Sequence, residues 1–303
     1  MKVFSEHDVN RLLTFDACIR VMEDALAALA RGEVHQPLRS VIRAEGAAGF
    51  FGMMPSYYRG YGLKEVCVFA DNPRRGLDTH LGAVLLHSGE TGQLLAIANA
   101  SAITAIRTAA VSAVATKLLA REDASVLAVL GAGVQGRSHM AASPLVRNIR
   151  EVRVFSRDRA QCTVGSAEEA VRGADIIVTA TSSREPVIRR EWISPGAHIN
   201  AVGSSVAVAR ELDGATVAAS SMFVDRREST VNESGDYLFA LREGAIAGPQ
   251  HIRAELGEIL TGKAQGRTSR DEITLFKSLG LAIEDLASVR YLYETGGGVD
   301  VDF

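Results

Sequence analysis

The feature that most constrains the fold is the glycine pattern GAGVQG at residues 131–136. It directly follows the apolar run SVLAVL and directly precedes a helical segment, so Gly131, Gly133 and Gly136 form a GxGxxG pattern at a strand-to-helix turn. Such glycines allow a tight turn, a close approach to a pyrophosphate and close packing of helix on strand. The helix N-terminus offers amides and a positive dipole to the phosphates. The pattern therefore predicts a Rossmann domain that binds a dinucleotide.

Four further apolar runs follow this turn: EVRVF, ADIIVTA, AHINAVG and SMFVD. Short runs of this kind suit the strands of a parallel sheet that is covered on both faces. The predicted dinucleotide-binding domain covers residues 118–272. Between Phe155 and the helical segment GSAEEAVRG, the chain is too short for a crossover helix and a third strand. The domain is therefore predicted to lack the helix after its second strand.

The residues after the second strand bear on the choice of cofactor. An acidic side chain there would bind the ribose 2′-hydroxyl, but the sequence VFSRDR places Ser156 and Arg157 at this point, with Asp158 one residue later. This favours a 2′-phosphate, so NADP(H) is the predicted cofactor and NAD(H) the other candidate. The alternative is that Arg157 is a solvated loop residue.

The first part of the chain has a different pattern. Apolar residues at helical spacing predict a helix over Phe15–Ala30, with Gly32 as its C-terminal glycine. Between residues 38 and 98, short apolar segments alternate with turns such as DNPRRG and SGETG, which predicts an antiparallel sheet. The predicted fold class is α/β: a Rossmann-type parallel sheet domain plus an α+β domain.

Composition excludes several classes of partner. A net charge of −3 provides no broad basic field for nucleic acid or anionic lipid. No apolar run approaches the roughly 20 residues that span a bilayer, so we expect a cytoplasmic protein without a membrane partner. The 3 cysteines are widely spaced and form no CxxC pair, so we expect neither a disulfide framework nor a metal site.

Arg107 is the most unusual residue of the apolar stretch ASAITAIRTAAVSA. Ile103, Ile106 and Ala110 recur around it at the spacing of a buried helical face. A charge in this position is costly without a partner. The partner is either an internal Asp or Glu, or a ligand that arrives from outside.

Several motifs together resemble the ornithine cyclodeaminase and mu-crystallin family: ITAIRTAAVSAVATKLLAR, VLGAGVQG, GADIIVTATSS, HINAVGSS and LFKSLGLAIEDLASVRY. The likeness runs nearly end to end. It implies a first domain, residues 1–117 and 273–303, that binds substrate and whose sheet builds a homodimer interface. It also implies a nicotinamide cofactor and a small amino or imino acid substrate.

The resemblance further implies the site residues. Arg39, Lys64 and Arg107, with Met54, match the positions that hold the substrate, and the three cations match those that bind its carboxylate. On this interpretation the cations have no internal charge balance, and a bound carboxylate offsets the burial of Arg107. Asp225, at the end of the run SMFV, matches the catalytic aspartate, and Lys64 or Asp225 is the candidate proton donor. The implied cofactor-binding residues are Thr108, Gly131, Gly133, Val134, Gln135, Gly136, Ser156, Arg157, Thr181, Val202, Gly203 and Ser204.

One position departs from the cyclodeaminases of this family. Where they carry a glutamate two residues before the Met-Pro pair, this chain has Gly52. Simple imine reduction needs fewer polar groups than cyclodeamination, so the sequence predicts an NAD(P)H-dependent reductase of a small cyclic imino acid such as pyrroline-2-carboxylate, or an L-amino acid dehydrogenase. The alternatives are an ornithine cyclodeaminase and a non-catalytic NADPH-binding protein of the crystallin type.

Overall fold

A computed structural model describes residues 1–302 and divides the chain into two compact units. The first comprises Met1–Arg107 and the C-terminal segment from Leu281, and the second comprises Thr108–Gly280. These limits differ from the predicted ones, after residues 117 and 272. The helix Ala100–Leu119 runs across the first limit, and the strand Thr274–Lys277 belongs to the sheet of the second unit.

The strands are β1 (Lys2–Phe4), β2 (Ser40–Ile42), β3 (Gly49–Tyr57), β4 (Tyr61–Phe69), β5 (His80–His87), β6 (Leu94–Asn99), β7 (Val126–Leu130), β8 (Glu151–Phe155), β9 (Ile176–Thr179), β10 (His198–Ala201), β11 (Ser221–Val224), β12 (Ile252–Glu255), β13 (Thr274–Lys277) and β14 (Val299–Asp300). The helices are α1 (Glu6–Leu12), α2 (Phe15–Ala30), α3 (Ala100–Leu119), α4 (Val134–Ala142), α5 (Ala167–Val171), α6 (Gly214–Ala219), α7 (Arg227–Glu233), α8 (Gly235–Arg242), α9 (Leu256–Leu260) and α10 (Ala282–Thr295).

The first unit is built on a seven-stranded sheet with the order β14-β1-β6-β5-β4-β3-β2. Strands β2 to β6 pair with one another in antiparallel fashion, which confirms the prediction for residues 38–98. Strand β1 lies parallel to β6. A buried row crosses four adjacent strands through Met54, Lys64, Val84 and Ala98. Helix α10 packs on these strands and on α2. This side of the sheet therefore forms the core of the unit.

The opposite side of the same sheet is apolar but less buried. Pro55, Leu63, Leu85 and Ile97 form a row across β3, β4, β5 and β6, and each is half-buried or exposed. We call these four residues the outer row. An antiparallel sheet that faces water on one side normally carries polar residues there, so the outer row is suited to packing against another protein surface.

Local sequence signals were sufficient to predict the bounds of helix α2. Thr14 precedes the helix, and its hydroxyl accepts a hydrogen bond from the Ala17 amide at 3.3 Å. The helix ends at Ala30, and Gly32 has a φ of 79°, a left-handed conformation that favours glycine. The predicted helix Phe15–Ala30 is confirmed.

The second unit is built on a seven-stranded parallel sheet with the order β12-β11-β13-β10-β9-β7-β8. Its central strands are buried on both faces: on β7, Leu127 and Val129 belong to one apolar core, and Ala128 and Leu130 belong to the other. Helices that cover both faces of a parallel sheet define an α/β domain. The predicted fold class is therefore confirmed.

Strand β8 lies at one end of this sheet. Between β8 and β9 the chain forms a 3-10 helix at Arg159–Gln161 and the five-residue helix α5. A complete Rossmann half would place a further strand beyond β8. Here the Arg159 guanidinium lies 4.8 Å from the ring centre of Phe155, the last residue of β8, and covers part of its surface.

Helix α3 corrects one expectation from the sequence. Its 20 residues are long and apolar enough to cross a membrane by length and composition alone, although it carries Arg107 and Lys117. Of the most apolar window, 78% is buried inside the protein. A central helix of a folded core needs the same apolar composition, so the length criterion alone does not separate the two cases.

Candidate active site

Lys64 on β4 and Arg107 on α3 meet at one carboxylate, that of Asp285 on α10. Lys64 Nζ donates to Asp285 Oδ1 at 3.1 Å, and Arg107 Nε donates to the same oxygen at 3.1 Å. Arg107 Nη1 also donates to Glu284 Oε2 at 2.7 Å. The two cationic side chains are 4% and 6% exposed, and both carboxylates are fully buried.

These contacts correct the interpretation that the cations have no internal charge balance. The internal ion pair, which was the alternative for Arg107, is present, and its acidic partners are Glu284 and Asp285. Both were missed as site residues. The signal that could have found them lies in the segment LGLAIEDLASV, where two adjacent acids interrupt an apolar helix much as Arg107 interrupts its own. Buried charges of opposite sign in two apolar helices are expected to pair.

The surroundings of Lys64 adjust its proton affinity. Burial lowers the pKa of the Lys64 ammonium to about 8, while the charge of Asp285 acts in the opposite direction. The charges of Arg107 and of the half-buried Arg39 lower this pKa further. The three predicted substrate-binding cations are therefore gathered in the first unit. Met54 is buried and faces Lys64 as its cross-strand partner.

Lys64 retains capacity to bind an anion. Its ammonium has three N–H donors. Within the described residues, two of them are used, by Thr104 Oγ1 at 2.7 Å and by Asp285 Oδ1. The remaining donor of Lys64 can therefore bind a carboxylate oxygen.

In the second unit, the glycine turn has the geometry that a dinucleotide requires. Gly131 has a φ of 106°, and a Cβ atom there would lie 2.5 Å from the Ala180 carbonyl oxygen. A Cβ atom on Gly136 would collide with the Gly131 carbonyl. Gly133 caps the N-terminus of α4, which continues with Val134 and Gln135. The turn thus fits a pyrophosphate at the helix N-terminus, as predicted for these residues.

The other predicted cofactor residues follow the carboxyl ends of parallel strands. Ser156 and Arg157 follow β8, Thr181 follows β9, and residues 202–204 follow β10. Thr108 is the exception, since it is buried on α3. The carboxyl edge is where open parallel sheets bind their ligands. The structure therefore brings most of the predicted cofactor residues to one edge of the sheet.

Sequence analysis missed the residue that connects two of these loops, Glu211. Its fully buried carboxylate accepts hydrogen bonds from the Thr179 hydroxyl at 2.8 Å, from the Thr181 amide and hydroxyl at 2.7 and 2.8 Å, and from the Gly203 amide at 2.8 Å. Burial raises the pKa of Glu211, and the charge of Lys277 opposes that effect. Glu211 therefore fixes the loops after β9 and β10 relative to each other.

Asp225, the predicted catalytic aspartate, follows β11 and is buried. Its Oδ2 accepts hydrogen bonds from the amides of Leu279 and Gly280 at 2.6 and 2.8 Å, and its Oδ1 accepts one from the Arg226 amide at 2.8 Å. These bonds hold the chain after β13 and keep the carboxylate in one orientation. Its catalytic role stays a prediction.

At the predicted ribose site, the side chain of Arg157 is exposed, and its Nη2 donates to Ser182 Oγ at 3.0 Å. Asp158 caps the following 3-10 helix and accepts a hydrogen bond from the Ala160 amide at 3.1 Å. Across residues 1–302, no group of three or more His, Cys, Asp or Glu side chains is arranged to hold a metal ion.

The fold and these residues define a protein with a Rossmann-type unit and a buried cluster of cations. The ornithine cyclodeaminase/mu-crystallin family model matches residues 1–298. The chain is 38% identical over 309 residues to ketimine reductase mu-crystallin of Mus musculus, with 96% of each chain covered. The chain therefore belongs to the ornithine cyclodeaminase/mu-crystallin family, which confirms the resemblance inferred from its motifs.

Two solved structures are similar over almost their whole length. Delta(1)-pyrroline-2-carboxylate reductase of Thermococcus litoralis, in complex with NADH and L-proline, has a TM-score of 0.96 and 39% identity, covering 99% of this chain and 100% of that chain. An archaeal alanine dehydrogenase dimer with bound NAD has a TM-score of 0.94 and 32% identity, covering 100% and 99% of the two chains. Both relatives are named for reactions of small amino or imino acids.

Proposed function

We propose that the protein is an NAD(P)H-dependent reductase of a small cyclic imino acid such as pyrroline-2-carboxylate, or a closely related L-amino acid dehydrogenase. The observation that carries this proposal is the arrangement of Lys64 and Arg107 on the single carboxylate of Asp285. A gathered pair of buried cations suits a substrate carboxylate. The named activities of the relatives supply the reaction class.

Each residue then has a defined task. Arg107 and Lys64, with Arg39, bind the substrate carboxylate and orient the C=N bond. Lys64, with a pKa of about 8, can hold a proton near neutral pH and donate it toward the imine nitrogen, and Asp225 is the other candidate donor. A bound nicotinamide cofactor supplies the hydride that the imine carbon accepts. The carbon gains the hydride and the nitrogen keeps the proton, so the product is the amine.

Gly52 favours reduction over cyclodeamination. It lies on β3 opposite Val66 of β4, and a Cβ atom at this position would contact a methyl group of Val66 at 3.5 Å. The position thus supplies no carboxylate for a second substrate amine. An ornithine cyclodeaminase is the second candidate, and a non-catalytic NADPH-binding protein is the third.

Two reactions separate these candidates. The purified protein is incubated with pyrroline-2-carboxylate and NADH or NADPH, and separately with L-ornithine and catalytic NAD⁺ without added reductant. We expect steady oxidation of the reduced cofactor and formation of proline in the first reaction only. Ammonia and proline from ornithine would contradict the proposal in favour of the lyase. Tight binding of NADPH without turnover on a panel of imino and keto acids would favour the binding protein.

We propose that NADPH is preferred over NADH by roughly ten- to hundredfold, or about 1.4 to 2.8 kcal/mol. Ser156 and Arg157 can donate hydrogen bonds to a 2′-phosphate, and Asp158 is engaged in capping its own turn. The relatives with bound NADH or NAD do not support this preference, so it rests on these residues alone.

Dissociation constants of NADPH and NADH test this preference. Arg157→Ala should abolish the preference for NADPH. Arg159 is a neighbouring exposed arginine, so the control variant Arg159→Ala should preserve the preference. Tighter binding of NADH than of NADPH by the wild-type protein would contradict the assignment.

We also infer that the protein is a homodimer in which the outer row of one copy packs against a second copy. The alanine dehydrogenase relative is described as a dimer, and an apolar row on a partly exposed sheet face suits such an interface.

Leu85→Lys should weaken the dimer by roughly a hundredfold or more, because it introduces like charges into an apolar contact. Sedimentation velocity measures the change. Val208→Lys, at a 69% exposed position of the second unit, is the control; a Leu85→Lys protein that dimerises like wild type would contradict the inference.

The proposed location is the cytoplasm. Cys18, Cys67 and Cys162 form no disulfide. Free thiols of this kind are typical of a reducing compartment.

A further inference from the structure

Asp285 differs from its neighbour Glu284 in what it contacts. The Oδ1 atom of Asp285 accepts hydrogen bonds from both Lys64 and Arg107, each at 3.1 Å. Glu284 is equally buried, but its ion pair is with Arg107. One carboxylate oxygen therefore serves two cations that would otherwise repel each other across a short distance.

The other groups around Lys64 provide no substitute for this carboxylate. Helix α3 presents Thr104 and Arg107, the segment before β2 presents Arg39, and His80 stands at the start of β5. His80 is exposed and carries no negative charge. Burial raises the pKa of the Cys18 thiol on α2 to about 12, and the charges of Glu284 and Asp285 on α10 add to this effect. Of the charged groups that act most strongly on Lys64, Asp285 is the one of opposite sign.

We propose that Asp285 is a positioning residue that holds Lys64 and Arg107 together as one carboxylate-binding pair and keeps the Lys64 ammonium charged at neutral pH. Because the two cations share one oxygen, displacement of that oxygen changes the position of both. The part of this inference that concerns substrate rests on the proposed reductase function. The part that concerns Lys64 and Asp285 does not.

The inference has a definite pH dependence. Burial lowers the pKa of Lys64 to about 8, and Asp285 raises it through charge and hydrogen bonding. Lys64 is therefore protonated below about pH 8 and loses its charge as the pH rises through that value. If carboxylate binding needs this charge, kcat/KM falls on the alkaline side. Without Asp285, the loss of charge and the fall in kcat/KM both move to lower pH.

A direct measurement of Lys64 tests this without any substrate. The chain has only five lysines, so NMR of protein labelled with ¹³C at the lysine Cε carbons gives few signals, and Lys64→Arg identifies the one from Lys64. We expect Lys64 to titrate near pH 8 in the wild type and about one pH unit or more lower in Asp285→Asn. The matched control is Glu284→Gln, which removes the adjacent carboxylate; there the Lys64 titration should stay within about half a unit of wild type. The signal of Lys277, which pairs with Asp236 in the second unit, is the internal reference.

The same variants are then compared by pH profiles of kcat/KM with pyrroline-2-carboxylate, where the alkaline limb should move with the Lys64 titration. If Asp285→Asn does not fold, Asp285→Glu is tested instead. This variant keeps the negative charge but moves the carboxylate by one methylene. We expect it to change the Lys64 titration and to lower kcat/KM. An unchanged Lys64 titration in Asp285→Asn would overturn the inference, as would an Asp285→Glu protein identical to wild type in both measurements.

The Lys64 titration could also move as expected in a protein that has no imine reductase activity. That result would contradict the proposed function but not the inference about Asp285.

Discussion

Replacing Arg107 by alanine is expected to lower kcat/KM for the imino acid on the order of a hundredfold, or about 3 kcal/mol. In the proposed function the guanidinium supplies charged hydrogen bonds to the substrate carboxylate, while its Nε and Nη1 bind Asp285 and Glu284. Arg107→Lys keeps the charge but cannot reproduce this planar arrangement of donors, so it should recover only part of the activity. Steady-state kinetics with pyrroline-2-carboxylate measures both variants.

The buried acids require a control for folding. Arg107→Ala leaves Glu284 and Asp285 without this cation, and breaking a buried ion pair typically costs about 3–5 kcal/mol of stability. Cofactor affinity is an independent readout, because the predicted dinucleotide-binding residues after the parallel strands belong to the second unit. The dissociation constant of the cofactor should therefore barely change. If Arg107→Ala retains full kcat/KM, the residue serves only the internal ion pairs and the carboxylate-binding role is wrong.

The Asp225→Asn variant is expected to slow the chemical step by roughly 10²- to 10⁴-fold while changing substrate binding much less. The substitution preserves shape but removes the charge and a proton acceptor. Because Asp225 accepts amide hydrogen bonds from Leu279, Gly280 and Arg226, the asparagine NH₂ group must face one of these donors, and stability falls as well. Single-turnover oxidation of the reduced cofactor separates the chemical step from binding.

Asp236 offers a matched control for this loss of backbone contacts. It lies in the same unit, is equally buried, and its Oδ1 accepts hydrogen bonds from the amides of Glu211 and Leu212 at 2.8 and 2.9 Å. Asp236→Asn also removes the charge partner of the buried Lys277, so it should lower thermal stability at least as much but retain most of the single-turnover rate. An Asp225→Asn protein with the wild-type single-turnover rate would exclude Asp225 from the chemistry.

The parts of the fold that could be predicted are those governed by local physics. A threonine cap, apolar periodicity and a glycine at positive φ define α2 within a single segment. The glycine turn at residues 131–136 is also explained by local geometry, because side chains at Gly131 and Gly136 would collide with backbone carbonyls. In these segments, the sequence signal and the structural cause involve the same few residues.

The parts that were missed depend on contacts between distant residues. Strand β13 has only four residues and ends in the charged Lys277, so its apolar run is too short to recognise, yet it lies between β10 and β11. Lys277 is fully buried because Asp236, far away in the sequence, pairs with it at 2.9 Å. The pairing of Arg107 with Glu284 and Asp285 is of the same kind. Spacing along the chain carries no information about such partners.

The open end of the parallel sheet raises a question of solubility. As the last strand of its sheet, β8 has backbone donors and acceptors on its outer side that another extended chain could bind, the usual route to edge-to-edge aggregation. The strand EVRVF alternates charged and apolar residues, and Arg153 pairs with Glu151 at 2.7 Å and donates to the Arg172 carbonyl at 2.6 Å. Charged side chains on an edge strand discourage the approach of a second strand. The short connection after β8 leaves the outer edge of this strand unpaired. The charged side chains on β8 protect that edge from pairing with a strand of another copy.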